Sequence, residues 1–179
     1  MTSPPNTEQR HAPIFLTGFM GAGKTTVGRA LACRLGYDFY DLDELIEQNV
    51  GKSVQAIFAE LGEPEFRRLE SEALESCREI KRAVIALGGG AYDSEENRAL
   101  LRAIGKTVWL DCPLDLCLRR ISGDQSRPLL GVREQMRALF EKRLGSYVEA
   151  DCCVQTRDFS PGQLAMQIAA MLCGYEFET

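Results

Sequence analysis

The sequence predicts one α/β domain, an open and mostly parallel β-sheet with helices on both faces. Two observations lead to this class. Short apolar runs, each of a length that suits a buried strand, alternate with amphipathic helical patterns along the chain. A glycine-rich loop follows the first run and opens directly into a helical pattern. Ligands of such sheets bind at the carboxyl ends of the strands, so the residues just after each strand are the candidates for function.

The loop after the first strand carries the motif of a phosphate-binding loop. Residues 14–16 are apolar, and residues 25–35 place apolar side chains on one helical face. Between them, residues 18–25 match G-x-x-x-x-G-K-[ST], in which backbone N–H groups and a helix N-terminus bind an anion. Lys24 is expected to reach the β- and γ-phosphates of a nucleotide, and the Thr25 hydroxyl to bind Mg²⁺. A glycine-rich turn with a chance lysine is the alternative, and the flanking strand and helix argue against it.

The other elements follow from periodicity and from the positions of glycine and proline. Gly36 ends the first helix, and a turn at Leu61-Gly62 separates two later helices. The predicted strands lie at 37–40, 83–87, 107–111 and 152–155, and the predicted helices at 43–48, 53–60, 65–80, 95–104, 113–121, 132–147 and 161–173. Residues 1–12 are expected to form a disordered tail, which leaves 13–175 as the domain.

Composition argues against several classes of protein. The formal net charge is −5 and the pI is about 5.1, whereas a nucleic-acid-binding protein is usually basic. No run approaches the ~18 apolar residues of a membrane span, and the first residues lack the apolar core of a secretory signal. The seven cysteines are therefore expected to be reduced thiols of a cytoplasmic protein. A zinc site of Cys112, Cys117, Cys152 and Cys153 is the alternative, disfavoured because no C-x-x-C pair occurs.

Two carboxylates, Asp41 and Asp43, follow the second predicted strand. In an extended segment they point to opposite sides, so one is expected near the water shell of Mg²⁺ and the other near a substrate hydroxyl. The alternative is that both favour the start of the following helix. Arg67 and Arg68, near the start of the long helix, offer a fork for a substrate carboxylate or belong to a solvated charged face.

Two further segments lie where chemistry is expected. Gly88-Gly89-Gly90 follows the apolar strand at 83–87, and the absence of side chains there lets the backbone approach a ligand, with a wide turn as the alternative. Residues 122–131 are predicted to form a lid that carries Arg127, because an arginine on a closing flap stabilises a transferred phosphoryl group. A plain surface loop is the alternative. Arg143, on the next helix, is a candidate for a second anion clamp.

In their order along the chain, these motifs resemble the shikimate kinase family. The resemblance spans about Pro13 to Cys173. It rests on the segments Gly18 to Gly28, Asp41-Leu42-Asp43 with Ile46-Glu47, Ile57-Phe58, Gly62-Glu63 with Phe66-Arg67, Gly88-Gly89-Gly90, and Arg127-Pro128-Leu129-Leu130. It implies a three-layer P-loop kinase fold of the nucleoside-monophosphate-kinase type, with a five-stranded parallel sheet, a substrate-binding region at about 42–70 and a lid at about 122–131.

The resemblance also implies a reaction and its participants. ATP, with Mg²⁺, is expected to give its γ-phosphoryl group to the 3-hydroxyl of shikimate in aromatic amino acid biosynthesis. Asp43, Lys24 and Arg127 are then catalytic, and the metal lies at Thr25 and, through water, at Asp41. The nucleotide is expected at Gly21, Ala22, Gly23, Lys24, Thr25, Thr26, Arg120, Arg127 and Arg157. Shikimate is expected at Asp43, Phe58, Phe66, Arg67, Glu70, Gly89, Gly90 and Arg143. The acidic pI and the lack of a large exposed apolar motif, together with the resemblance, make a monomer the expectation, and the composition predicts that it binds neither nucleic acid nor membrane.

One position departs from the family pattern. Members carry R-x-P-x-Y at the second arginine, and here Gly145 stands in place of the proline between Arg143 and Tyr147. The effect of this change on Arg143 is left open by the sequence.

Two other functions fit part of the pattern. A kinase of another small hydroxy acid, such as gluconate, would also use arginines to bind a carboxylate. A non-catalytic ATP-binding switch would need the phosphate loop but not Asp43, Arg67 and Arg127 together, so the presence of all three favours an enzyme.

Overall fold

The computed structural model describes residues 12–122 and 130–172. Its strands are β1 (Ile14–Thr17), β2 (Asp38–Asp41), β3 (Ala83–Ala86), β4 (Lys106–Asp111) and β5 (Cys152–Gln155). Its helices are α1 (Lys24–Leu35), α2 (Leu42–Val50), α3 (Val54–Ser76), α4 (Glu95–Ile104), α5 (Leu114–Ser122), α6 (Leu130–Tyr147) and α7 (Pro161–Leu172), and a 3₁₀ turn (Cys77–Glu79) follows α3. The predicted tail lies outside the described residues except for Ala12, as do most of the predicted lid and the end of the predicted domain.

The strands form one parallel sheet in the order β2-β3-β1-β4-β5. Every residue of β1 and β3 is buried. Because successive side chains of a strand point to opposite faces, these two strands are covered on both sides. α1 packs against α7, and α3 packs against α2 and α4. The predicted parallel sheet with flanking helices is confirmed.

The register of the sheet decides where the loops emerge. Leu16 of β1 and Asp41 of β2 both pair with Ala86 of β3. The loops that follow these three strands therefore leave the sheet at the same edge, as expected for parallel strands. The phosphate loop, the Asp41–Asp43 segment and the three glycines after β3 all start from this edge.

Local capping explains where several helices begin and end. The Ser53 and Ser94 side chains accept hydrogen bonds from the backbone N–H groups of Ala56 and Asn97, at the starts of α3 and α4. Gly36 adopts a left-handed conformation and ends α1, as predicted.

Gly62 interrupts α3, with φ 80° and ψ 172°. Pro64 follows in the first turn of the second half, where the N–H group that proline lacks has no helical partner. The predicted break at Leu61-Gly62 is therefore correct, and it takes the form of a kink within α3. Phe66 and Glu70 of the second half are buried.

The core lies against the central strands, where Phe15, Leu16 and Ile85 are fully buried. Within 12–122 and 130–172, none of the helices combines the length and the apolar character that crossing a membrane requires.

Candidate active site

The phosphate loop joins β1 to α1 at the carboxyl edge of the sheet. Gly23, the residue before the helix, is left-handed with φ 97°, and no side chain of the described residues caps the helix there. The first turn of α1 also contains no acidic residue. The N–H groups of this turn are therefore available to an anion.

Two other glycines of this loop are required by packing. A Cβ atom at Gly18 would lie 2.8 Å from the Leu110 carbonyl oxygen, and one at Gly21 would lie 2.7 Å from that of Cys117. Both glycines have positive φ, 140° and 78°. The loop is thus pressed against β4 and α5, which fixes its shape, and ligand approach is not the only reason for its glycines.

Lys24 lies over the loop that precedes it. Its Nζ donates hydrogen bonds to the carbonyl oxygens of Gly18, at 2.8 Å, and Phe19, at 3.2 Å. Burial lowers the pKa of Lys24 to about 8, while the carboxylates of Asp43 and Asp41 act in the opposite direction. A desolvated ammonium group in this position is ready to exchange its carbonyl partners for phosphate oxygens.

Thr25 and Asp41 form a pair of oxygen groups beside the loop. Thr25 Oγ1 donates a hydrogen bond to Asp41 Oδ2 at 3.0 Å. Asp41 Oδ1 accepts one from the Asp43 N–H at 3.1 Å and so caps α2. Hydroxyl and carboxylate oxygens are the ligands that Mg²⁺ prefers, so the pair fits a magnesium ion that keeps several of its waters.

Asp43 belongs to the first turn of α2, so the extended geometry predicted for the Asp41–Asp43 segment is wrong. The Asp41 carboxylate caps α2, whereas Asp43 is a residue of the helix itself, so the two carboxylates have different surroundings. Asp43 Oδ1 is buried and has no hydrogen-bond partner among the described residues. A Cβ atom at Gly88 would lie 2.7 Å from this oxygen and 3.0 Å from Glu70 Oε1. Burial raises the pKa of Asp43, Asp41 raises it further, and Lys24 opposes both.

Arg67 is held by two carboxylates on α3. Its Nη1 donates to Glu70 Oε2 at 2.8 Å, and its Nη2 donates to Glu63 Oε1 at 3.1 Å. Glu70 is almost fully buried, and burial raises its pKa although the hydrogen bond from Arg67 lowers it. A Cβ atom at Gly90 would overlap the Arg67 guanidinium, so the loop after β3 needs a glycine where this side chain lies. Arg68 instead pairs with exposed acidic residues of its own helix. For Arg68, the structure therefore agrees with the alternative of a solvated charged face.

Arg143 reaches the same loop from α6. It is 6% exposed, its Nε donates to Asp93 Oδ2 at 3.0 Å, and its Nη1 is buried with no hydrogen-bond partner among the described residues. That Nη1 would lie 3.2 Å from a Cβ atom at Gly89, whose carbonyl oxygen accepts a hydrogen bond from the Tyr147 hydroxyl at 3.3 Å. No sequence pattern indicates Asp93, because an aspartate just before a helix is common.

A cavity of about 320 Å³ lies between α3, the loop after β3 and α6. Its lining includes Arg67 and Arg143 together with Glu63, Glu70 and Asp93. The cavity is thus lined by two guanidinium groups that are each held by carboxylates.

Four of the residues predicted for the acceptor do not line this cavity: Asp43, Phe58, Phe66 and Gly89. Asp43 approaches it through Gly88 and Glu70. Phe58 is partly exposed and packs on the buried Phe66, with ring centroids 4.5 Å apart.

A second cavity, of about 200 Å³, lies on the other side of the phosphate loop. Ala22, Gly23, Thr26 and Arg120 line it, and so does the exposed ring of Phe159, which the sequence analysis missed. Arg120 Nη1 donates to the carbonyl oxygens of Gly21 and Ala22, both at 3.2 Å.

Of the two remaining arginines predicted for the nucleotide, one lies apart from this cavity and the other falls outside the described residues. Arg157 is exposed, pairs with Asp115 at 3.5 Å and is not part of the cavity lining. Arg127 and most of the predicted lid lie outside the described residues.

Comparison with known proteins places the chain in a family. A family profile described as shikimate kinase matches residues 20–173. The shikimate kinase of Persephonella marina is 42% identical over 156 residues, which cover 87% of this chain and 95% of that protein. The shikimate kinase of Geobacter sulfurreducens is 43% identical over 162 residues, or 89% of this chain and 90% of that one. The chain belongs to the shikimate kinase family.

Solved structures agree with this membership of the shikimate kinase family. The shikimate kinase of Acinetobacter baumannii in complex with shikimate superposes with a TM-score of 0.85 at 35% identity, covering 95% of this chain and 97% of that chain. The enzyme of Aquifex aeolicus gives a TM-score of 0.81 at 37% identity, covering 90% and 96%. The predicted family and P-loop kinase fold are confirmed, and as a shikimate kinase family member the chain is an ATP-dependent kinase.

Within 12–122 and 130–172, no cluster of three or more His, Cys, Asp or Glu side chains could hold a metal ion. Cys112, Cys117, Cys152 and Cys153 all lie in these ranges as free thiols, so they do not form the zinc site considered as an alternative.

Proposed function

We propose that this protein transfers the γ-phosphoryl group of ATP to the 3-hydroxyl of shikimate, giving ADP and shikimate 3-phosphate for aromatic amino acid biosynthesis. One observation carries the proposal. A phosphate loop, a carboxylate with an unpaired buried oxygen, and two guanidinium groups held by carboxylates meet at one edge of the sheet. The relatives described above are named shikimate kinase, and the Acinetobacter baumannii structure contains shikimate.

On the nucleotide side, the first turn of α1 and residues 21–26 bind the phosphates of ATP. Lys24 leaves its loop carbonyls for the β- and γ-phosphates. Arg120, which contacts the loop and lines the 200 Å³ cavity, holds the adenosine side. The Thr25 hydroxyl and, through water, Asp41 would hold Mg²⁺, which would neutralise phosphate charge. Arg127 stabilises the transferred group from the predicted lid, a role that rests on the sequence pattern and the family resemblance, and Arg157 contacts the nucleotide, a role that rests on the resemblance alone.

On the acceptor side, the shikimate carboxylate pairs with Arg67 and Arg143, because a guanidinium group binds a carboxylate through two parallel hydrogen bonds. The Gly89 and Gly90 backbone lies beside the ring, and Glu70, Phe58 and Phe66 shape the site.

Asp43 completes the chemistry. Its carboxylate accepts the proton of the 3-hydroxyl as that oxygen bonds to the γ-phosphorus, and the bond from the γ-phosphorus to the bridging oxygen breaks to release ADP. Most of the rate enhancement comes from positioning and charge stabilisation, because phosphoryl transfer asks little of a base.

We further propose that the enzyme is a cytoplasmic monomer that binds no nucleic acid. The net charge of −5 supports the last point.

The decisive experiment measures ADP production from ATP and Mg²⁺ with shikimate, with gluconate or with no acceptor. Release that depends on shikimate supports the proposal, and release only with gluconate reassigns the acceptor. ATP binding without ADP release under any condition favours a non-catalytic switch.

Variants then test the roles of Asp43 and Lys24. Asp43→Asn removes the proton acceptor and is expected to lower kcat by about 10²-fold or more, and Lys24→Met is expected to abolish turnover. Glu44→Gln, a neutralised carboxylate at the next, exposed position of α2, is the matched control and should retain activity. Circular dichroism checks that each variant is folded. Full activity in Asp43→Asn would contradict the role given to Asp43.

A further inference from the structure

The Arg143 guanidinium has two unlike edges. Its Nε is occupied by Asp93 Oδ2 at 3.0 Å, while its Nη1 is buried beside Gly89 with no hydrogen-bond partner among the described residues. An unpaired buried donor is costly, so a site that keeps one is built for a ligand acceptor. Asp93 therefore holds Arg143 at the edge that a ligand does not use.

The main chain at Asp93 is held by Arg98, while Oδ1 of the Asp93 carboxylate is buried with no hydrogen-bond partner among the described residues. The Arg98 side chain is largely buried, and its Nη1 donates to the carbonyl oxygens of Tyr92 at 3.0 Å and Asp93 at 2.9 Å. Arg98 Nε also pairs with Glu149 Oε2 at 3.3 Å, just beyond the end of α6. The contacts therefore form a closed path from α6 through Glu149, Arg98 and Asp93 back to Arg143.

These contacts bear on whether Gly145, which stands in place of the family proline, affects Arg143. Gly145 is exposed, and a Cβ atom there would meet nothing within 4 Å, so the missing proline leaves no gap in the packing around it. The contacts from the loop after β3 and from α4 hold Arg143 from the opposite side.

We infer that Asp93 is a positioning residue for the acceptor: it fixes the Arg143 guanidinium so that its free edge meets the substrate carboxylate. This inference rests on the proposed function, since it takes Arg143 as a carboxylate ligand. The negative charge of Asp93 opposes an anionic acceptor at longer range. That cost is outweighed because a buried guanidinium without a carboxylate partner is driven toward solvent and away from the site.

The test is the kinetics of Asp93→Ala with shikimate and with ATP. The KM for shikimate is expected to rise by about ten- to hundredfold, the range that follows from losing a hydrogen bond between charged groups. The KM for ATP stays within about twofold of the wild-type value, since Asp93 acts on one ligand only. Asp93→Asn keeps an oxygen for Arg143 Nε and restores most of the affinity. Glu95→Ala, which removes a nearby exposed charge, is the control and leaves both KM values unchanged.

Two further measurements distinguish a specific loss of Arg143 positioning from a general loosening of the site. With the methyl ester of shikimate, which lacks the carboxylate charge, Asp93→Ala should cause much less loss than with shikimate. In an Arg143→Ala background, Asp93→Ala should add little, because the residue it positions is gone. Thermal unfolding checks the fold, and Asp93→Ser replaces Asp93→Ala if the alanine variant is unstable.

The outcomes separate the two proposals. If Arg143→Ala raises the KM for shikimate and Asp93→Ala does not, the inference about Asp93 is wrong and the function stands. An equal loss with shikimate and its ester, or an equal rise in the KM for ATP, also overturns the inference. If Arg143→Ala itself leaves the KM for shikimate unchanged, the proposed carboxylate site has failed.

Discussion

At the scale of single residues, nucleotide binding should change the protonation state of Lys24. With its pKa at about 8 in the free protein, Lys24 is largely deprotonated at pH 8.5. Phosphate groups favour the ammonium form, so binding raises this pKa and the complex takes up a proton. Calorimetric titration with MgATP at pH 8.5, in two buffers of different ionisation enthalpy, should show uptake of a substantial fraction of a proton per nucleotide. Lys24→Met should bind weakly and without uptake, and uptake that persists in this variant would assign the proton to another group.

The sequence predicted most of the residues near the site but not their partners. Motif spacing indicated Lys24, and a position just after a strand end made Asp43 a candidate, whereas the role of Arg67 came from the family resemblance. Asp93 could not be found in this way, because its significance is a contact with Arg143 across 50 residues of chain. Phe159 was missed because a lone aromatic residue before a helix carries no pattern.

Among the elements, the loop after β3 is shaped by the side chains that lie over it. Gly90 does not need a left-handed backbone, so alanine is allowed by its conformation. Its methyl group would nevertheless overlap the Arg67 guanidinium and displace it. We predict that Gly90→Ala raises the KM for shikimate by about tenfold, as expected for a lost charged contact, with little change in the KM for ATP. Gly162→Ala, where a Cβ atom meets nothing within 4 Å, is the control. Steady-state kinetics of both variants decides the matter, and an unchanged KM in Gly90→Ala would show that Arg67 can move without cost.

Element types were predictable because local chemistry specified them, while their ends were not. The apolar run at 83–87 and the glycine stop at Gly36 act through nearest neighbours, and both were predicted correctly. β2 begins one residue later than predicted, at Asp38, whose N–H donates to the Arg82 carbonyl oxygen. That hydrogen bond depends on how β2 and β3 align, which periodicity within one segment does not reveal.

For the whole molecule, the parallel sheet gathers like charges at one edge. Asp43 and Glu70 approach each other across Gly88, and the pKa of each is raised, first of all by burial. The sequence placed these residues on separate elements, and the packing of α2 against α3 beside the end of β3 brings them together. Such crowding serves catalysis at the expense of stability, a common property of active sites.

The stability of the free protein should therefore increase when the Asp43 charge is removed. A carboxyl group whose pKa is raised on folding binds more protons in the native state, so stability falls as pH rises through the interval between its unfolded and folded pKa values. Above that interval Asp43 is charged and its cost is fully present. We predict that Asp43→Asn, although much less active, is more stable than the wild type above that interval by on the order of 1 kcal/mol.

The pH dependence of this stability difference tests whether the Asp43 charge is its cause. As pH is lowered through the interval between the raised pKa of folded Asp43 and its lower unfolded value, the wild-type carboxyl takes up its proton, so the difference in unfolding free energy between the two proteins should shrink. Urea denaturation of both proteins at several pH values measures it, with Glu44→Gln as the control for loss of an exposed charge on the same helix. A variant that is less stable than the wild type, or a difference that does not change with pH, would mean that the buried Asp43 carboxylate is satisfied in the free protein.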